Sequence, residues 1–200
     1  FSGGRGIRRI GTDGVVRSWW STCNDNAQPS GEDGPIGSAV LPCPTDMTLA
    51  PDGSLIIASQ NFIHQVGNDG VVRRVAGSGA SGSSGDGGPA KSASISLQVL
   101  QGLSVDRWNN VFFKETSGKL RVARAGGNIY TLGGPNSNRL PQHRSAVSTS
   151  GIPSASYYTV SPDGQIFAYI PELAFGGNAR GLLVKLEPRL LPFGGSKIPS

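Results

Sequence analysis

The stretch Leu49-Ala50-Pro51-Asp52-Gly53-Ser54-Leu55-Ile56-Ile57-Ala58 decides the fold, because the chain writes it three times. The second version is Ser104-Val105-Asp106-Arg107-Trp108-Asn109-Asn110-Val111-Phe112-Phe113. The third is Val160-Ser161-Pro162-Asp163-Gly164-Gln165-Ile166-Phe167-Ala168. The first apolar residues after the turn, Leu55, Val111 and Ile166, stand 56 and 55 positions apart. A fixed period of this size marks an array of like supersecondary units. A second element keeps the register: Ile7-Arg8-Arg9-Ile10-Gly11-Thr12-Asp13-Gly14-Val15-Val16-Arg17 matches Ile63-His64-Gln65-Val66-Gly67-Asn68-Asp69-Gly70-Val71-Val72-Arg73, again 56 apart. A third version, Val122 to Tyr130, carries Gly126-Gly127 where the Asp-Gly pair stood. The connections repeat too, with Gly31-Glu32-Asp33-Gly34-Pro35 lying 54 positions before Gly85-Asp86-Gly87-Gly88-Pro89.

Each unit reads as two β-hairpins. Asp-Gly between β-branched runs is a strong hairpin signal, since glycine accepts the positive φ of a tight turn. One predicted hairpin runs from Met47 through Asp52-Gly53 to Ser59, the other from Phe62 through Asp69-Gly70 to Gly77. Four short antiparallel strands cannot bury both faces alone, and radial stacking of such sheets solves the problem. Composition is compatible with this. The 200 residues include 30 Gly and 14 Pro, which punctuate the period, and the net charge of +5 is too small to force the chain open. Apolar runs such as Leu55-Ile56-Ile57-Ala58 are far too short for a membrane-spanning helix.

The pattern Val105-Asp106-x-x-Asn109-Asn110-Val111-Phe112-Phe113 resembles the core of an NHL repeat. The connection Ser84-Gly85-Asp86-Gly87-Gly88-Pro89-Ala90-Lys91-Ser92-Ala93, with Arg73 to Gly79 before it, is similar to the inter-blade loop in the propellers of teneurins and bacterial YD-repeat (Rhs-like) surface proteins. The likeness spans about residues 5–187 and departs from the pattern at 137–142, where the acidic Gly-rich character is lost, and after Ile170. It implies an all-β, NHL-type β-propeller segment of about 3.5 four-stranded blades, belonging to a six-bladed propeller. The whole chain, 1–200, is then one partial propeller. Its units are two outer strands at 7–20 and blades at 46–77, 100–133 and 156–193. Phe1 aligns with Ile57, within a strand, so an open segment of a larger propeller is expected.

The function this resemblance implies is a non-enzymatic protein-interaction or adhesion scaffold, part of a larger extracellular or cell-surface protein. Its partner is another protein or the rest of its own propeller. Rigid blades would present the connections 21–45, 78–99, 134–155 and 171–180. Contact residues expected there are Glu32, Asp33, Asp86, Arg139, His143 and Arg144. Two rival classes stand beside it. Basic residues concentrated in the second half (Lys119, Arg121, Arg124, Arg139, Arg144) would suit an RNA-binding propeller if they gathered on one face near Trp108 or Tyr157-Tyr158. A metal-dependent propeller lyase or hydrolase would need several converging His and carboxylate ligands. The two histidines, His64 and His143, are far apart in sequence, and Asp13, Asp52, Asp69 and Asp163 each precede glycine as turn residues. The loops around Glu32-Asp33 and Asp86 hold too few carboxylates to make a good calcium site. No cofactor and no membrane insertion are expected. The two cysteines, Cys23 and Cys43, flank one connection and lack Cys-x-x-Cys spacing. They are expected to form a disulfide, which would favour an oxidising compartment.

Overall fold

The computed structural model describes residues 6–20, 23–25, 27–97, 102–133, 157–171 and 181–186. In chain order the strands are β1 (Ile7–Ile10), β2 (Val16–Trp20), β3 (Asp46–Leu49), β4 (Leu55–Ser59), β5 (Phe62–Val66), β6 (Val72–Ala76), β7 (Ser104–Val105), β8 (Val111–Lys114), β9 (Leu120–Ala123), β10 (Ile129–Gly133), β11 (Tyr157–Val160), β12 (Ile166–Pro171) and β13 (Gly181–Leu186). They form four antiparallel meanders: β1-β2, β3-β4-β5-β6, β7-β8-β9-β10 and β11-β12-β13. The inner strands β3, β7 and β11 are neighbours in turn. The chain is an all-β propeller segment, as the repeats predict.

The turns explain why these strands start and stop where they do. At the β1–β2 turn Gly11 N donates to Val15 O at 3.0 Å and Gly14 N to Gly11 O at 2.9 Å. The β5–β6 turn repeats this as Gly67 N to Val71 O at 3.0 Å and Gly70 N to Gly67 O at 2.9 Å. Gly14 and Gly70 sit at φ 75° and 73°, which a side chain would resist. Because Gly67 and Val71 close the turn, both strands stop short of it, and the hairpin ends at Ala76, one residue before the expected Gly77. The aspartate of each turn is fixed twice. Asp69 Oδ1 accepts the Val71 N–H, and both its oxygens take the Arg73 guanidinium at 3.2 and 2.7 Å. Asp13 and Arg17 repeat the arrangement.

Burial lies between blades. Ile56, Ala58 and Ile63 of one sheet meet Val105, Val111, Phe113 and Ile129 of the next. Phe112, Leu120 and Val122 then meet Tyr158, Val160, Ile166 and Ala168. Ile7 and Trp20 pack on Ile57, Val66 and Val72 through Leu41 and Ala39. The long connections cover the outer sheet edges, which would otherwise invite pairing with other chains. Residues 33–36 bond along β6, with Asp33 N to Val72 O at 2.7 Å and Ile36 N to Gly70 O at 2.9 Å. Residues 87–90 do the same along β10, with Gly87 N to Ile129 O at 2.8 Å and Ala90 N to Gly127 O at 2.6 Å.

Candidate functional site

Antiparallel meanders put the starts of the inner strands, the ends of second strands and the long connections at one end of the propeller. Asp46 opens β3 and Lys114 closes β8, so two ionisable residues from adjacent blades arrive together. Asp46 Oδ1 accepts the Met47 N–H at 2.8 Å, and Oδ2 accepts the Leu103 N–H of the next blade at 3.1 Å. Beside them lies a cavity of about 10 Å³, lined by Thr45, Asp46, Gly102, Leu103, Phe113 and Lys114 among others. That is close to the lower limit for one water molecule. The Lys114 ammonium sits 5.8 Å from the centroid of the Tyr158 ring of the following blade. Burial pushes the Lys114 pKa below its ordinary value. Gly102 makes this crowding feasible: its φ is 93°, and a Cβ there would lie 2.5 Å from Tyr158 O.

A second set of groups, built around the enclosed side chains His64, Glu115 and Arg121, repeats between blades. His64 on β5 is fully enclosed, with Nε2 2.7 Å from Glu32 Oε1. Arg74 on β6 binds both oxygens of the same carboxylate at 2.8 and 2.9 Å and lies 5.0 Å over the Phe62 ring. One blade on, Arg121 occupies the matching place on β9 and Asp86 the matching place in the connection. Arg121 Nη2 donates to Asp86 Oδ1 at 2.7 Å, and Nη1 to the buried Glu115 at 2.9 Å. Nη1 also reaches Ser94 O at 3.1 Å and Nη2 Ser84 O at 2.9 Å, while the buried Nε–H has no partner among the described residues. Burial alone would raise the Glu32 carboxyl, but hydrogen bonds from Arg74 and His64 outweigh it and hold the pKa below the usual carboxylate range. At Asp86 burial is likewise outweighed, by hydrogen bonds from Thr131 and Arg121. His64 itself is pushed down by burial, with Glu32 only partly compensating. These are clamps that hold each connection onto its blade.

Of the residues expected to meet a partner, Glu32 and Asp86 therefore spend their carboxylates on the protein's own cations. Asp33 is exposed, at φ 63°. Arg139, His143 and Arg144 lie outside the described residues. Of the basic residues considered for RNA, the described ones do not gather: Arg121 is buried, Lys119 sits before β9 and Arg124 after it, at opposite ends of the strand. Trp108 is exposed, with Arg107 over its ring at 5.1 Å. Among the described residues no group of three or more His, Cys, Asp or Glu is placed to hold a metal ion. Cys23 and Cys43 are disulfide-bonded, with Cα atoms 4.7 Å apart. The Asp46–Lys114 pair had no sequence signal, because its members lie in different blades and neither falls in a motif.

No family model matches the chain, and no curated protein matches its sequence. Among solved structures it is similar to a protein described as a candidate gluconolactonase, with a TM-score of 0.46 and 14% identity. The match covers 90% of this chain and 56% of that one, so the chain spans just over half of its neighbour's length. At this score and identity the match assigns no activity, and any activity must rest on this chain's own residues. The expectation of a non-enzymatic adhesion scaffold finds no support in this comparison, in which the similar protein is described as a candidate enzyme, and it is not carried further.

Proposed function

We propose that the chain supplies blades of a propeller hydrolase that cleaves a small cyclic or open carboxylic ester. The reaction centre is placed where the inner strands begin. One observation carries the reading: Asp46 and Lys114, from adjacent blades, flank a cavity of about one water's size. In the reaction the water oxygen would attack the ester carbonyl, the C–O bond to the alcohol would break, and the water's proton would pass to the leaving oxygen. Asp46, held by two backbone N–H groups, is an oriented acceptor for that proton. Lys114 supplies donors for the oxyanion that develops on the carbonyl, in a partly desolvated place where such help is strongest. Its ammonium is steadied by the face of Tyr158. The repeat unit itself we read as NHL-type. The Cys23–Cys43 bond supports an oxidising compartment.

The test is hydrolysis of a panel of lactones and aryl esters by the purified chain. Lys114→Met and Asp46→Asn are each expected to lower kcat by about a hundredfold or more, with melting temperature little changed. Absence of turnover above buffer, or turnover that survives both substitutions, removes the proposal.

A further inference from the structure

We infer that Asp33-Gly34 is a site of spontaneous aspartyl isomerisation, and that its conversion releases the 21–45 connection from β6. The chain holds six Asp-Gly pairs, beginning at Asp13, Asp33, Asp52, Asp69, Asp86 and Asp163. A following glycine has no Cβ to keep its amide nitrogen from the aspartyl carboxyl, so by sequence the six are alike. The structure separates them. Five of the carboxylates are occupied. Asp13 accepts from Val15 N and Arg17, and Asp69 repeats this with Val71 N and Arg73. Asp52 takes the Ser54 N–H and hydroxyl at 2.9 and 2.6 Å and the Asn109 amide at 3.0 Å. Asp86 is held by Arg121, and Asp163 by the Ser161 hydroxyl and the Gln165 amide. Among the described residues no donor reaches the Asp33 carboxylate. Arg73 faces it electrostatically but gives its hydrogen bonds to Asp69 and Val71 O.

The attacking amide is also the most weakly held of the six. Gly34 N donates to Gly31 O at 3.2 Å, whereas the other five glycine amides make bonds of 2.8 or 2.9 Å. Asp33 is exposed to water, and in the repeat register it takes the place of Gly87. It keeps that glycine's left-handed backbone, with φ 63° beside 81°, a conformation an aspartate adopts less readily. In the reaction Gly34 N bonds to Asp33 Cγ, and the carboxyl hydroxyl leaves with the amide proton as water, closing a five-membered succinimide. One water then adds to the Asp33 main-chain carbonyl, whose bond to Gly34 N breaks. The chain now runs through Cβ and Cγ and is one carbon longer, with no net gain or loss of atoms. The bonds from Asp33 N to Val72 O at 2.7 Å and from Val72 N to Gly34 O at 2.9 Å bracket that extra carbon, so the pairing with β6 loses its register. Glu32, which clamps His64 and Arg74, is the next residue back. This inference is independent of the proposed hydrolase.

The test is to age the 200-residue protein at neutral pH in water enriched in heavy oxygen, and to map isoaspartate by electron-transfer fragmentation of its peptides. Isoaspartate carrying one heavy oxygen is expected at position 33 about tenfold faster than at any other Asp-Gly pair, since each of those must first give up hydrogen bonds. The same chain unfolded in urea is expected to lose that lead. Arg17→Ala, a change at an exposed side chain, is expected to raise the rate at Asp13 severalfold. Asp33→Gly, which copies Gly87, is expected to remove the modification and keep the melting temperature. In the aged native protein, molecules carrying isoaspartate at 33 are expected to exchange the Val72 amide about tenfold faster than unmodified ones. Equal rates at the six pairs of the native protein, a lead at another pair, or a lead at 33 that persists in urea would each overturn the inference. So would an Asp13 rate that Arg17→Ala leaves unmoved, or Val72 exchange that the modification leaves unchanged.

Discussion

Among the described residues Arg121 is the largest side chain the fold encloses completely, and its two terminal nitrogens, though not its Nε–H, find partners on the connection and on Glu115. Glu115 beside it is equally enclosed. Such a pair adds little over a well-packed apolar pair, but removing one member strands the other. Arg121→Met should therefore destabilise by about 3–5 kcal/mol in urea denaturation. Adding Glu115→Gln should recover part of that loss. A cost below about 1 kcal/mol for the single change would mean Glu115 finds another partner. His64 plays the same part with a titratable ring. Its pKa is pushed below the ordinary 6.5 by burial, with Glu32 and Arg74 the charged groups facing it. The unfolded chain then binds the proton more readily than the folded one. The contribution is complete above the unfolded pKa of about 6.5 and is lost as pH falls below it toward the folded value. Stability should thus decline as pH falls below about 6.5, where the unfolded chain takes up the proton first. His64→Gln should flatten that slope; an unchanged slope would place the titrating group elsewhere.

At the scale of the element, the hairpin turns were legible because Asp-Gly signals are local and repeat at one spacing. The clamps were not. Glu32 and Asp86 align in their connections, but their partners lie 32 and 35 residues downstream and differ in type, His64 in one blade and Arg121 in the next. Once the register is known, the third unit makes sense of both. Ala168 pairs with Val184, as Phe113 pairs with Arg121, so the clamp position there carries an uncharged residue. The preceding connection has also lost its acidic Gly-Asp-Gly-Gly character at 137–142. Acid and cation are present together or missing together. The Cys23–Cys43 bond is a further tie on the first of these connections. Around it Asn24 N donates to Leu41 O at 3.1 Å, Ser30 N to Val40 O at 3.0 Å, and Trp20 Nε1 to Ala39 O at 3.0 Å. Closing a separation of 20 residues should stabilise by about 3 kcal/mol. The Cys23→Ser, Cys43→Ser variant should lose about that much in denaturant while keeping its β-sheet circular dichroism. Loss of the sheet signal itself would show that the bond is required for folding, unlike the cysteine-free connection at 78–99.

Across the whole molecule, the period fixed the stacking of blades, but the candidate site was invisible to it. Asp46 and Lys114 belong to different blades, and a repeat aligns each residue with its equivalents instead of its neighbours. That same modularity bears on how the molecule comes apart. Each blade touches only the next, so stability should behave as blade terms plus nearest-neighbour interfaces. The interface between β3–β6 and β7–β10 joins two complete sheets and holds the largest described core, whereas β1-β2 has only two strands. Native-state hydrogen exchange should therefore find the slowest amides in β4, β5, β8 and β9 and the fastest strand amides in β1 and β2. Phe113 is enclosed in that central core, and Phe113→Ala should cost about 3–5 kcal/mol. If the nearest-neighbour description holds, the cost falls on exchange in β3–β10, while β1-β2, already open through its own weak interface, changes little. A uniform acceleration of every strand in the variant would instead show that the blades open as one cooperative unit.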